Sequence, residues 1–84
     1  MSGVDEAELI ERAKNNDYRA YEALYHQHIG KVFALCVRLL NDRDMAEDMA
    51  QEAFVQAWRN LSKFRGDSAF GSWLYRITTN TVPG

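Results

Sequence analysis

Cysteine is almost missing from this sequence. Cys36 stands alone, which excludes an internal disulfide and any multi-cysteine metal site. Proline is as scarce, one residue at Pro83, and five glycines leave little room for an all-β plan with many tight turns. No apolar run reaches the ~18 residues that crossing a bilayer requires. The start, Met-Ser-Gly-Val-Asp-Glu-Ala-Glu, lacks the basic and apolar regions of a signal peptide, so the expected location is cytoplasmic, without membrane insertion. There is no Ser/His/Asp set, no phosphate-cradling glycine loop and no metal-ligand spacing. His26 and His28, two apart on a helix, point to different sides and cannot share a metal. No cofactor and no catalytic residue is therefore expected, and an enzyme is rejected.

What is present is helical. The 84 residues, 46% hydrophobic and 26% charged, suit one small globular domain, not a disordered, highly charged segment. The net charge of −2 argues against indiscriminate binding to duplex DNA, for which a basic domain is the usual footprint. Its distribution says more. Residues 42–52 carry five acids (Asp42, Asp44, Glu47, Asp48, Glu52) against Arg43 alone. Residues 53–84 carry Arg59, Lys63, Arg65 and Arg76 against Asp67 alone. An acidic patch followed by a basic one suggests two partners of opposite charge.

Apolar residues recurring at three and four positions predict four helices. Asp5 is the expected cap of a short first helix ending near Lys14, with Leu9, Ile10 and Ala13 inward. After Asn15-Asn16-Asp17, a long helix from Tyr18 to about Leu40 places Tyr18, Tyr21, Leu24, Tyr25, Ile29, Val32, Phe33, Leu35, Cys36, Leu39 and Leu40 on a core-facing stripe. Gly30 weakens that helix without ending it. Asp42 or Asp44 caps a third helix to about Leu61, its inner stripe Met45, Met49, Ala50, Ala53, Phe54, Ala57, Trp58 and Leu61. Asp67 or Ser68 caps a fourth, which buries Phe70, Trp73, Leu74 and Ile77, and Pro83-Gly84 would stop any helix arriving there. The fold class is all-α, one domain over residues 1–84: a small bundle of three main helices with a short N-terminal helix.

Two surfaces stand out. On the third helix, Asp44, Asp48, Gln51, Glu52, Val55 and Arg59 share one outward arc, and an apolar Val55 among polar neighbours resembles the centre of a docking face. On the fourth, Ser72, Tyr75, Arg76, Thr79 and Asn80 face away from the apolar stripe, and Lys63 and Arg65 enter from the preceding loop. Aromatic and guanidinium planes, an amide and cations are what recognition of unstacked bases uses. A solvated face and an ordinary loop are the plain alternatives for both surfaces. Trp58 and Trp73 fall on inner stripes and are read as core, as is Cys36.

The run Asp-Met-Ala-Glu-Asp-Met-Ala-Gln-Glu-Ala-Phe-Val-Gln-Ala-Trp, Asp44 to Trp58, closely resembles the polymerase-binding motif of bacterial sigma factors. Phe-Arg-Gly-Asp-Ser-Ala-Phe, then Trp-Leu-Tyr-Arg-Ile and Asn80, resembles the promoter-reading segment of the extracytoplasmic-function group. The resemblance implies a region-two domain, in which Asp48, Gln51, Glu52 and Val55 dock on the clamp helices of the largest catalytic subunit of RNA polymerase. It implies further that Lys63, Phe64, Arg65, Gly66, Asp67 and Ser68, with Tyr75, Arg76, Thr79 and Asn80, capture an unpaired base on the non-template strand of the minus-ten promoter element.

In the family the last helix continues into a basic stretch, and a second helical domain reads the minus-thirty-five element. This sequence runs Thr81-Val82-Pro83-Gly84, so the expectation is an isolated polymerase-binding half that does not select promoters unaided. The rival reading is a truncated protein-interaction module, binding polymerase or an anti-sigma factor without effective DNA recognition.

Overall fold

A computed structural model describes residues 5–82, and helix accounts for nearly all of them. In chain order these are α1 (Glu6–Lys14), α2 (Tyr18–Leu40), α3 (Arg43–Arg59), a 3₁₀ turn (Leu61–Lys63) and α4 (Phe70–Thr81), with no strand among the described residues. The expected all-α bundle with a short leading helix is what forms. The expectation for Pro83-Gly84 lies outside the described residues.

The breaks are local chemistry. Asp17 caps α2: one carboxylate oxygen accepts from the backbone N–H of Arg19 (3.1 Å) and Ala20 (3.3 Å), and the other accepts from Arg12 Nε at 2.9 Å. The Arg12 bond, helped by the Ala20 N–H, holds the Asp17 carboxyl below the usual carboxylate range. At the far end Asn41 turns into the left-handed region (φ 53°, ψ 35°), and its N–H reaches the Val37 carbonyl at 2.7 Å. Asp42 then caps α3 by accepting from Met45 N at 3.0 Å. Asp5 occupies the cap position of α1 but makes no capping bond with its side chain. Neither Asp67 nor Ser68 caps α4. Ala69 stands there instead, because the loop spends one more residue before Phe70 drops into the core.

α2 is the spine, about 34 Å long at ~1.5 Å per residue, and α1, α3 and α4 all pack on it. α3 is the central partner. Its Ala46, Ala50, Ala53 and Ala57 are all at or below 1% exposure and form one line at four-, three- and four-residue steps. Small side chains let the helix axes approach, and Phe54 beside them fills the space against Tyr21 (6.5 Å between ring centroids) and Tyr25 (4.8 Å). This corrects the expected stripe. Met45 is half exposed at 49%, and Ala46, one position on, is the buried residue. Tyr18 and Leu39, both expected inside, are 68% and 49% exposed because they lie at the two ends of α2, where less of the bundle covers them. Ala20 and Thr78 are buried instead, and the Thr78 hydroxyl donates to the Leu74 carbonyl at 2.8 Å.

Among the described residues no buried side-chain nitrogen or oxygen lacks a partner. Cys36 is fully buried, as expected, and burial pushes its thiol up. The Tyr21 phenol donates across the α2–α3 contact to the Phe54 carbonyl at 2.6 Å, and burial raises its pKa so that it remains a donor. Tyr21→Phe keeps the ring and removes this bond. It should cost about 1 kcal/mol, a fall of about 4–8 °C in Tm, read by thermal melting; an unchanged Tm would show that the hydroxyl contributes nothing net.

Candidate partner and nucleic-acid interfaces

Buried alanines on one side of α3 leave three other directions for its side chains, at ~100° per residue. Toward α2 point Phe54 and Trp58. Toward solvent point Asp48 and Val55, which is 43% exposed. Toward α4 point Glu52, Gln56 and Asn60, an i, i+4, i+8 line.

The expected docking residues are therefore split. Asp48, Gln51 and Val55 are exposed. Val55 rims a groove of about 380 Å³ between α2 and α3 whose walls are Tyr18, Tyr21, Tyr25, Phe54 and Trp58. Gln51 Nε2 donates to the Tyr25 hydroxyl there at 2.9 Å, and the Tyr21 and Trp58 rings sit 4.8 Å apart. Glu52 is half-buried, accepts from Gln56 Nε2 at 2.8 Å and lines the α3–α4 cleft.

That cleft measures about 610 Å³ and is lined by Glu52, Gln56, Asn60, Lys63, Trp73, Arg76, Ile77, Asn80 and Thr81. It gathers Lys63, Arg76 and Asn80 from the expected base-reading set. Tyr75 falls on the other flank of α4, in a groove shared with His28, Lys31 and Ser72, and Thr79 sits between the flanks. The polar arc of α4 thus straddles its outer crest and does not form one wall. Phe64, expected at the DNA, is buried, 5.7 Å from the Phe70 ring and 5.1 Å from Trp73. It anchors the loop from below, leaving Arg65, Gly66 and Asp67 exposed above it, with Ser68 half-buried. Gly66 takes φ +83°, open to glycine at no steric cost.

Trp58 and Trp73, read as core, are half-buried: each packs against the core and also forms a wall of one of these cavities. Gln56 and Asn60 were missed. Their four-residue steps from Glu52 are the signal that would have found them.

Among the described residues Arg12 pairs with Asp17, and the His28 imidazole contacts the Glu6 carboxylate at 2.7 Å, so Lys63, Arg65 and Arg76 take part in no ion pair. The described residues hold no cluster of His, Cys, Asp and Glu fit for a metal, and none of their helices is long and apolar enough to cross a membrane.

A helical bundle whose third helix shows a polar face around Val55, followed by a cationic loop and an Arg/Asn helix, matches one class of transcription factor domain. The model of the Sigma-70 region 2 family matches residues 24–82, and the chain belongs to that family. Its relatives include the RNA polymerase sigma-H factor of Pseudomonas aeruginosa, 47% identical over 98% of this chain and 42% of the relative. The ECF RNA polymerase sigma-E factor of Escherichia coli is 45% identical over 88% of this chain and 38% of that protein. The chain thus spans about two fifths of the length of these curated relatives. Among solved structures, an engineered region 2 of sigmaE in complex with GTAAAA matches with a TM-score of 0.87 and 36% identity, covering 96% of this chain and 85% of the other.

The loop has a second anchor. Lys14, at the end of α1, donates from Nζ to the Phe64 carbonyl at 2.6 Å, fifty residues along the chain. Lys14→Met retains the stem and deletes the donor. Exchange of the Lys63 and Phe64 amides, which donate to the Asn60 and Leu61 carbonyls, should speed up by roughly five- to tenfold, the equivalent of about 1–1.5 kcal/mol, with helical CD unchanged. Unaltered exchange would leave Phe64 as the anchor that matters.

Proposed function

We propose that this chain is the polymerase-docking and minus-ten-reading domain of a bacterial transcription initiation factor, acting in the cytoplasm as a binding module and not as an enzyme. The observation that carries the reading is the division of labour on α3 and α4. One exposed face joins Asp48 and Gln51 to an apolar Val55, and a separate loop and cleft bring unpaired cations to Trp73 and Asn80. Membership of the sigma region 2 family and similarity to a sigmaE domain complexed with GTAAAA support it.

In this reading the clamp helices of the largest catalytic subunit of RNA polymerase lie along Asp48, Gln51 and Val55, with Glu52 at the edge. An apolar centre within a polar rim suits a helix that carries basic side chains around an apolar anchor. The unpaired base is held at the exposed loop of Arg65, Gly66, Asp67 and Ser68, with Lys63, Arg76 and Asn80 beside it. Capturing a base already out of the stack offsets part of the few kcal/mol that unpairing costs. Tyr75 and Thr79 are placed for the flanking backbone, and Phe64 acts by holding the loop. The aromatic groove beside Val55 favours the second reading, a protein-interaction module for polymerase or an anti-sigma factor.

A titration separates the two. Asp48→Lys and Val55→Lys should each weaken binding of a clamp-helix peptide by about 1–3 kcal/mol with helicity intact. Arg65→Ala and Asn80→Ala should weaken binding of a single-stranded minus-ten oligonucleotide, measured with and without the peptide. Parent-like oligonucleotide affinity in both variants would leave the interaction module as the function.

A further inference from the structure

The α3–α4 cleft has a polarity that the docking and loop-capture reading does not require. On its α3 wall both amides turn a donor inward. Gln56 Nε2 donates to Glu52 Oε2 at 2.8 Å, and Asn60 Nδ2 donates to the Gln56 backbone carbonyl at 2.8 Å. Those bonds occupy one N–H of each amide and leave the amide carbonyls of Gln56 and Asn60 and the second carboxylate oxygen of Glu52 without a hydrogen bond among the described residues, as acceptors on the cleft wall. On the α4 side stand Arg76 and, at the mouth, Lys63, neither in an ion pair among the described residues. Trp73 supplies a flat, half-buried wall between the two.

We propose that this cleft is a second nucleotide subsite, for a base bearing an exocyclic amine (adenine, cytosine or guanine), next to the base held by the loop; it rests on the single-strand reading above. The amine of such a base donates to the acceptor wall, its ring lies against Trp73, and its phosphate meets Arg76 or Lys63. Thymine has no exocyclic amine and would put carbonyl oxygens against those oxygens. At about 610 Å³ the cleft falls in the range, roughly 300–1,000 Å³, that holds a ligand of nucleotide size. A bare anion would use the cations but leave three acceptors unanswered. Lys63 joins the two subsites, since the loop that begins at Phe64 leaves the cleft at its rim.

The test uses the whole 84-residue chain and the hexamer GTAAAA with each adenine replaced in turn by purine and the guanine by hypoxanthine, each lacking only the amine. At one position the replacement should weaken binding by about tenfold. Gln56→Ala with Asn60→Ala should weaken binding of the unmodified hexamer by about the same factor and erase the discrimination at that position alone. Arg65→Ala should lower affinity for every hexamer while leaving the discrimination in place. Alanine favours helix at position 56, and Asn60 stands just beyond the last residue of α3, so CD should show the fold retained.

Discrimination that survives the double substitution at every position overturns the proposal, as does a loss of clamp-helix binding with hexamer binding untouched, which would make the cleft a protein contact. Failure of the parent chain to bind any hexamer, with or without the clamp-helix peptide, would instead remove the single-strand reading on which the subsite rests.

Discussion

The close packing of α3 through its line of alanines is the constraint on which the other features depend. With Ala46, Ala50, Ala53 and Ala57 turned inward and at most 1% exposed, the rotation of α3 about its axis is fixed. Every other residue of that helix then has a set direction. Phe54 and Trp58 meet the tyrosines of α2, Asp48 and Val55 face solvent, and Glu52, Gln56 and Asn60 face α4. A larger residue in the alanine line would push the helices apart and rotate all three faces together, because cores tolerate added volume poorly. The exposed Asp48–Val55 face and the α3–α4 cleft are thus two outcomes of one packing decision.

A second centre holds the reading loop. Phe64, Phe70 and Trp73 form a cluster with centroid separations of 5.1–5.7 Å, and His28 of α2 leans edge-on against Phe70 at 5.2 Å. His28 also bonds Glu6 at 2.7 Å, and Lys14 bonds the Phe64 carbonyl, so α1 is tied to both ends of this cluster. Residues 6–14 precede the segment that the family model matches, yet they brace the start of the exposed loop. A loop fixed at its base and free at Arg65–Asp67 can present backbone and cation with little ordering left to do on binding, which lowers the entropic cost of association.

Much of this was legible in the residues. The four helices, the Asn-rich breaks, the Asp17 and Asp42 caps and the burial of Cys36 follow from spacing and local chemistry that need no tertiary partner. The errors have one physical origin, which is that periodicity gives a face but not its edges. Met45 falls on the inner stripe by its spacing, whereas the tight contact selects Ala46, one position on. Tyr18 and Leu39 have the right angle but lie at helix ends with too little above them. For the site, the residue types on α3 and α4 were readable, but their grouping was not. Tyr75 and Arg76 share a polar arc on paper and fall on opposite flanks once α4 is seated, and Phe64 belongs beneath the loop it begins.

Scarcity of charge completes the argument. With an overall charge of −2 and only Lys63, Arg65 and Arg76 placed at the loop and cleft, this domain cannot hold nucleic acid mainly by neutralising phosphates. Whatever affinity it has must come from groups that saturate on a specific base: a ring wall at Trp73, an amide at Asn80 and the acceptor oxygens on α3. Such contacts act over hydrogen-bond distances and have no long-range pull, so a strand has to be delivered to them already unpaired. The exposed Asp48–Val55 face, directed away from the cleft by the same helix, is where a partner able to deliver that strand would sit. In the function proposed above, weak charge and separate faces are thus two sides of one design, in which docking would supply proximity and the small polar cleft the choice of base.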